Sequence, residues 1–132
     1  MYKKKRKKRT DFEIEFYKRL LVHKPDFIPA LIALGDAYTR KGMYEEGLEI
    51  DKKLSQLRPE DPIVFYNLAC SYSLLGDTQQ ALKCLKKAIV LGYDDFHYME
   101  KDKDLKNLRK TADYKVLKEK LIRLKKNPNA GF

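Results

Sequence analysis

The feature that most restricts what this chain can fold into is a match to itself at an offset of 34 residues. Leu34-Gly35 falls on Leu68-Ala69, Tyr38 on Tyr72, Gly42 on Gly76, and Gly47-Leu48 on Ala81-Leu82. Pro25 falls on Pro59 and then on Tyr93, and Ile28 on Pro62 and then on Phe96. The best-formed copy, residues 62–93, is PIVFYNLACSYSLLGDTQQALKCLKKAIVLGY. It reads as two short amphipathic helices folded back on each other across Gly76-Asp77. Phe65, Leu68, Ala69 and Tyr72 share one face of the first, and Ala81, Leu85, Ala88 and Ile89 share one face of the second. Small residues alternate with large ones on these faces, as two closely approaching helices require. A lone hairpin of this size cannot bury both of its faces, so it needs copies of itself on either side.

Taken in order, the chain supplies them. Residues 1–9 are too repulsive to fold alone and read as a disordered arm or a frayed helix extension. Thr10 is placed to cap a helix running to about Lys24, with Asp11 and Glu13 in its first turn and Phe12, Phe16, Leu20 and His23 on its inner face. Pro25 stops it. Asp26 is placed to cap a helix over about 27–41, with Leu31, Leu34, Gly35 and Tyr38 inward. A partner over about 44–57 carries Leu48, Leu54 and Leu57. Asp61-Pro62 restarts the pattern, with helices over about 62–75 and 78–91. Short helical pieces follow over 94–99 and 102–107. Thr111 caps a last helix, about 112–126, with Tyr114, Leu117, Leu121 and Leu124 on its apolar face. Asn127-Pro128-Asn129 ends it, and the final Ala-Gly-Phe reads as loose. No stretch alternates with period two, so the expected fold class is all-α.

A 34-residue helix–turn–helix period with a Leu-Gly or Leu-Ala pair, then Tyr, Ala and Pro, resembles the tetratricopeptide repeat. The resemblance covers residues 13–99 well and reaches more loosely to about 124. It implies a helical solenoid in a single domain over residues 10–126. That domain divides into a half repeat (10–25), two full repeats (28–61 and 62–95) and a degenerate capping repeat (96–126), with a tail at 127–132. The run from Gly92 to Leu117 is similar to the terminal unit of many such proteins, through Asp104-Leu105-Lys106-Asn107-Leu108-Arg109. A capping helix polar on its outer side is what the end of a solenoid requires. Leu31 and Phe65 stand where the family often has tryptophan. Asp51 stands where an aromatic usually packs, a place held by Tyr17 and Leu85 in the neighbouring units. It reads as part-exposed beside the incomplete first unit, the alternative being a buried carboxylate bonded to a tyrosine or lysine.

The net charge of +10 is unevenly spread: Lys3, Lys4, Lys5, Arg6, Lys7, Lys8 and Arg9 carry +7, which leaves +3 for the rest. The two questions of what the helices bind and what the basic run binds are therefore separate. The run is a candidate polyanion-binding segment, for RNA, DNA or an anionic lipid surface, against a solvated tail. It would also pass as a nuclear import signal in a eukaryotic cell. Only Tyr2 is available there for stacking, so RNA binding would be sequence-tolerant. No apolar run follows the basic one, and none approaches membrane-spanning length, so a cytoplasmic protein is expected. Cys70 and Cys84 read as buried, reduced side chains.

In a repeat stack the first helices line a concave groove. The residues expected to face it are Ile32, Asp36, Thr39, Tyr66, Asn67, Cys70, Ser73, His97 and Lys101, a set suited to an extended peptide or a helix of another protein. Some relatives hold a chaperone's C-terminal carboxylate in a clamp of basic residues and asparagines. Only Asn67 and Lys101 match such a clamp, and Asp36 would repel a carboxylate, so that function is excluded. No glycine-rich phosphate loop, His-Glu-x-x-His or Gly-x-Ser-x-Gly motif is present. His97 near Asp94, Asp95 and Glu100 reads as a surface histidine. The expectation is a non-catalytic interaction module with no cofactor and no metal. A nucleic-acid- or ribosome-associated protein acting through the basic arm is the alternative, and self-association through the 10–25 helix a third reading.

Overall fold

The computed structural model describes residues 2–129, the side chains of 2–5 excepted. The helix α1 (Tyr2–His23) packs on α2 (Ile28–Lys41), α2 on α3 (Tyr44–Leu57), α3 on α4 (Pro62–Leu74), and α4 on α5 (Thr78–Val90). Then come α6 (Phe96–Lys101), a 3₁₀ turn (Lys103–Leu105), α7 (Lys106–Arg109) and α8 (Ala112–Lys126). Among the described residues there is no strand, and no helix is long and apolar enough to cross a membrane. The all-α solenoid of stacked hairpins is therefore the fold.

Local chemistry sets the hairpins. Asp61 accepts a hydrogen bond from the Ile63 amide at 2.9 Å, and Pro62 fills the first helical position, where no N–H is needed. At the far end of each first helix stand Gly42 and Gly76, with φ of 83° and 82°. Both are left-handed, and the next amide turns back to a tyrosine carbonyl: Met43 to Tyr38 at 2.8 Å and Asp77 to Tyr72 at 3.0 Å. The two tyrosines are 34-residue counterparts, so the turn repeats with the sequence. Where α2 crosses α3, a methyl added at Gly35 would sit 3.3 Å from Ile50 Cγ2. In the second hairpin the equivalent methyls of Ala69 and Ala81 are fully buried.

The main core gathers α4, α5 and everything after them. Leu85, Met99, Leu105, Leu108 and Leu117 are fully enclosed there, beside Tyr93 and Tyr114. The terminal segment is tied to α4 by polar bonds as well. Asn107 Nδ2 donates to the Ser73 carbonyl at 2.8 Å, and the Leu108 amide donates to Ser73 Oγ at 3.2 Å. Arg109 donates to the carbonyls of Met99 and Asp102, at 2.9 and 2.5 Å. Thr111 caps α8 by accepting from the Tyr114 amide. Smaller clusters, Leu31 with Leu54 and Val64, and Ile14 with Leu34, Ala37 and Tyr38, join the first hairpin to its neighbours.

Several local expectations are corrected at the N-terminal end. Thr10 is not an N-cap: α1 begins at Tyr2, and Thr10 Oγ1 donates back to the Arg6 carbonyl at 3.0 Å. The basic run accordingly follows the second of its two expected forms, an extension of the helix, and not the disordered arm. Lysine and arginine are good helix formers, and the run extends a helix already nucleated by its packed half. Asp11 and Glu13 pair with Lys41 and Arg40 at the end of α2, instead of serving a first turn. The inner face of α1 is Ile14, Tyr17 and Leu21, whereas Phe12 and Phe16 point outward, 70% and 48% exposed. α1 packs chiefly on α2, and that cluster selects the Ile14 stripe. Asp26 caps nothing: Phe27 holds the cap position of α2 without a side-chain bond, and Asp26 pairs with Lys53. The terminal Ala-Gly-Phe, expected to be loose, lies outside the described residues.

Candidate functional site

The inner surfaces of α2, α4 and α6 enclose a cavity of about 520 Å³. From α2 come Ile32, Asp36 and Thr39; from α4 come Ile63, Tyr66, Asn67, Cys70 and Leu74; from α6 and the turn after it come Tyr98, Asp102 and Asp104. Asp51 and Leu54 of α3 reach it between the two first helices. Ile32, Ile63 and Tyr98 are about half exposed, so the walls offer apolar surface to solvent.

Its floor is a buried polar knot. The Tyr66 hydroxyl donates to Asp102 Oδ2 at 2.6 Å, and Cys70 Sγ lies 3.7 Å from the same oxygen. The other carboxylate oxygen accepts from the Asp104 amide at 3.0 Å. Tyr66 also stacks on Tyr93, with ring centroids 4.3 Å apart and an angle of 10° between planes. Burial, and then the Asp102 carboxylate, push the Tyr66 hydroxyl and the Cys70 thiol well above their ordinary ranges. Both stay protonated, so Cys70 is a poor nucleophile and Tyr66 a fixed donor. Desolvation raises Asp104 too, with the charge of Asp102 as the next cause.

Asp51 is buried, not part-exposed. Its Oδ2 accepts from Ser71 Oγ, and the expected tyrosine or lysine partner is replaced by that serine. Burial lifts its pKa to about 6, and the serine bond opposes the shift. The sequence position between α2 and α4 explains the enclosure: α3 is sandwiched by both.

Of the nine expected groove residues, Ile32, Asp36, Thr39, Tyr66, Asn67 and Cys70 line the cavity. Ser73 is corrected to a fully buried position beneath α7. His97 and Lys101 are corrected to the outside of the groove. In the six-residue α6, Met99 is the buried anchor, and that rotation turns Tyr98 and Asp102 toward the cavity instead. Glu100 is engaged by Tyr114 at 2.7 Å and Lys118 at 3.1 Å, so it forms no acid–base cluster with His97. Of the missed residues Asp104 had a signal: it stands 34 after Cys70 and 68 after Asp36, and all three line the cavity.

The basic run has its own surroundings. Arg6, Lys7 and Arg9 border a shallow cavity with Thr10, Arg40 and Lys41, while Lys8 is exposed outside it. The side chains of Lys3, Lys4 and Lys5 lie outside the described residues. Arg40 is committed to Glu13 at 2.6 Å and Asp36 at 3.0 Å. Cys70 and Cys84 are both buried and unbridged.

Residues 30–63 and residues 62–91 each match a family model described as a tetratricopeptide repeat. Over 86 residues the chain is 37% identical to a protein of Arabidopsis thaliana whose name describes it as chloroplastic. That match takes in 63% of this chain and 26% of the Arabidopsis protein, so the chain spans about a quarter of the length of this relative.

Proposed function

We propose that this chain, which belongs to the tetratricopeptide-repeat family, docks a peptide or helix of another protein in the groove formed by α2, α4 and α6. The family's repeats serve protein–protein interaction, and the groove is the part of this molecule shaped for it. The observation that carries the reading is a cavity of about 520 Å³ with Ile32, Ile63 and Tyr98 half exposed on its walls. Asn67 sits between them, exposed, with an amide suited to an extended backbone. Its buried thiol and phenol are held protonated, which suits a rigid floor rather than chemistry. The proposed action needs no catalysis and no cofactor. The compartment is read as cytoplasmic; the name of the Arabidopsis relative says chloroplastic, and cell fractionation decides between them.

Replacing Tyr98 and Asn67 together with alanine is expected to weaken partner binding by about 2 kcal/mol or more, the usual effect of losing a central aromatic anchor. Tyr66 is left intact because its hydroxyl belongs to the buried knot. A titration of the purified partner giving the same Kd for both chains would place docking on another face.

A second reading has the basic run as the binding element, favoured by Arg6, Lys7 and Arg9 standing together on one cavity beside Arg40 and Lys41. Changing residues 3–9 to glutamine is then expected to abolish salt-dependent RNA co-purification. RNA recovery that does not change removes this reading.

A further inference from the structure

We propose that the groove accepts a segment of another protein that carries lysine or arginine side chains among aliphatic ones. This rests on groove docking as read above and adds the sign of the charge the groove selects. The chain carries +10, yet no lysine or arginine is among the described residues that line the cavity, whereas five aspartates are. Asp36 is held from the side by Arg40, and Asp61 caps α4. Among the described residues, Asp51, Asp102 and Asp104 are in no ion pair. Asp51 and Asp102 are 8% and 6% exposed. Carboxylates withdrawn from water and lacking a cation are costly, and a cation entering the cavity offsets that cost.

The apolar walls fit the same ligand. Lysine and arginine bring long aliphatic stems, which lie against Ile32, Ile63 and Tyr98 while the charged ends reach the aspartates. A basic ligand is repelled by the rest of this strongly basic chain, so attraction has to come from the groove itself, within about a Debye length of 8–10 Å. The basic run of a second copy is the weaker occupant. Residues 3–9 contain no leucine, isoleucine or valine between their charges to fill the groove beside the two isoleucines, and they are built into α1.

The test uses the full chain and three short fluorescent peptides that share the same leucine, isoleucine and tyrosine positions. Their polar positions hold lysine and arginine, glutamine, or glutamate. Anisotropy titrations are expected to show the basic peptide binding at least about tenfold more tightly than the glutamine one, more so at low salt, and the glutamate one not binding. Asp36→Asn with Asp104→Asn, checked for unchanged thermal unfolding, is expected to erase that preference.

Equal binding of the basic and glutamine peptides, both lost in Ile32→Gln with Ile63→Gln, overturns the charge preference and leaves groove docking standing. Basic-peptide binding untouched by either pair of substitutions overturns both. Absence of basic-peptide binding overturns the charge preference. A concentration-dependent dimer of the full chain in sedimentation, abolished by the asparagine pair, overturns the choice of occupant in favour of a second copy.

Discussion

Truncating Leu108 to alanine is expected to lower the unfolding free energy by about 2–5 kcal/mol, the range for a fully enclosed leucine. Leu108 belongs to the four-residue α7, has no exposed surface, and shares a cluster with Leu85, Leu105 and Leu117. Helices this short have no stability of their own in water, so burial of their leucines holds them in place. The backbone around Leu108 is also committed, its own amide to Ser73 Oγ and the Asn107 side chain to the Ser73 carbonyl. Loss of the side chain leaves a cavity between α4, α5 and α8 that these bonds keep from collapsing. Denaturant unfolding is the measurement: the midpoint falls while the slope stays the same. A loss under about 1 kcal/mol would mean that the terminal segment is not part of the cooperative core.

Asp51→Asn is expected to stabilise the protein by roughly 2–3 kcal/mol at neutral pH and above, and by little in acid. The folded state lifts this carboxyl from its ordinary 3.8 to about 6, chiefly by desolvation. Because folding favours the protonated form, the contribution is fully present below about pH 3.8 and is lost as pH rises through about 6. Asparagine stays neutral throughout and keeps an oxygen to accept from Ser71. The gap between variant and wild type therefore opens across that window. Paired unfolding curves at several pH values read it directly. A gap that does not change with pH would contradict the assignment of the buried charge.

The repeat was legible because its determinants are local and periodic. Gly42 and Gly76 mark left-handed turns, Pro62 and Asp61 mark a helix start, and the Leu68-Ala69 pair marks a close crossing. Each acts within one hairpin, so an offset of 34 exposes them all. What stayed hidden depends on how many neighbours an element has. Phe12 and Phe16 look like an inner stripe in isolation, yet α1 packs chiefly on α2, and the Ile14 face wins. Asp51 looks like a polar residue at a ragged edge, yet α2 and α4 enclose it.

The expectation of which residues face the groove agrees with the cavity lining where α2 and α4 keep the regular repeat, at Ile32, Asp36, Thr39, Asn67 and Cys70. It failed at His97 and Lys101, where α6 is too short for its rotation to follow from periodicity. Met99 fixes that rotation through a contact made only in the folded chain.

The central claim, that the face shared by α2, α4 and α6 is where a partner protein docks, is tested most directly by site-specific photo-crosslinking in cells. A benzophenone side chain is placed at Asn67 in the groove and, separately, at Lys86 on the outer side of α5, both exposed. The account predicts a covalent adduct with a partner polypeptide from position 67 and none from 86. Adducts of equal yield from both positions, or from position 86 alone, would contradict it.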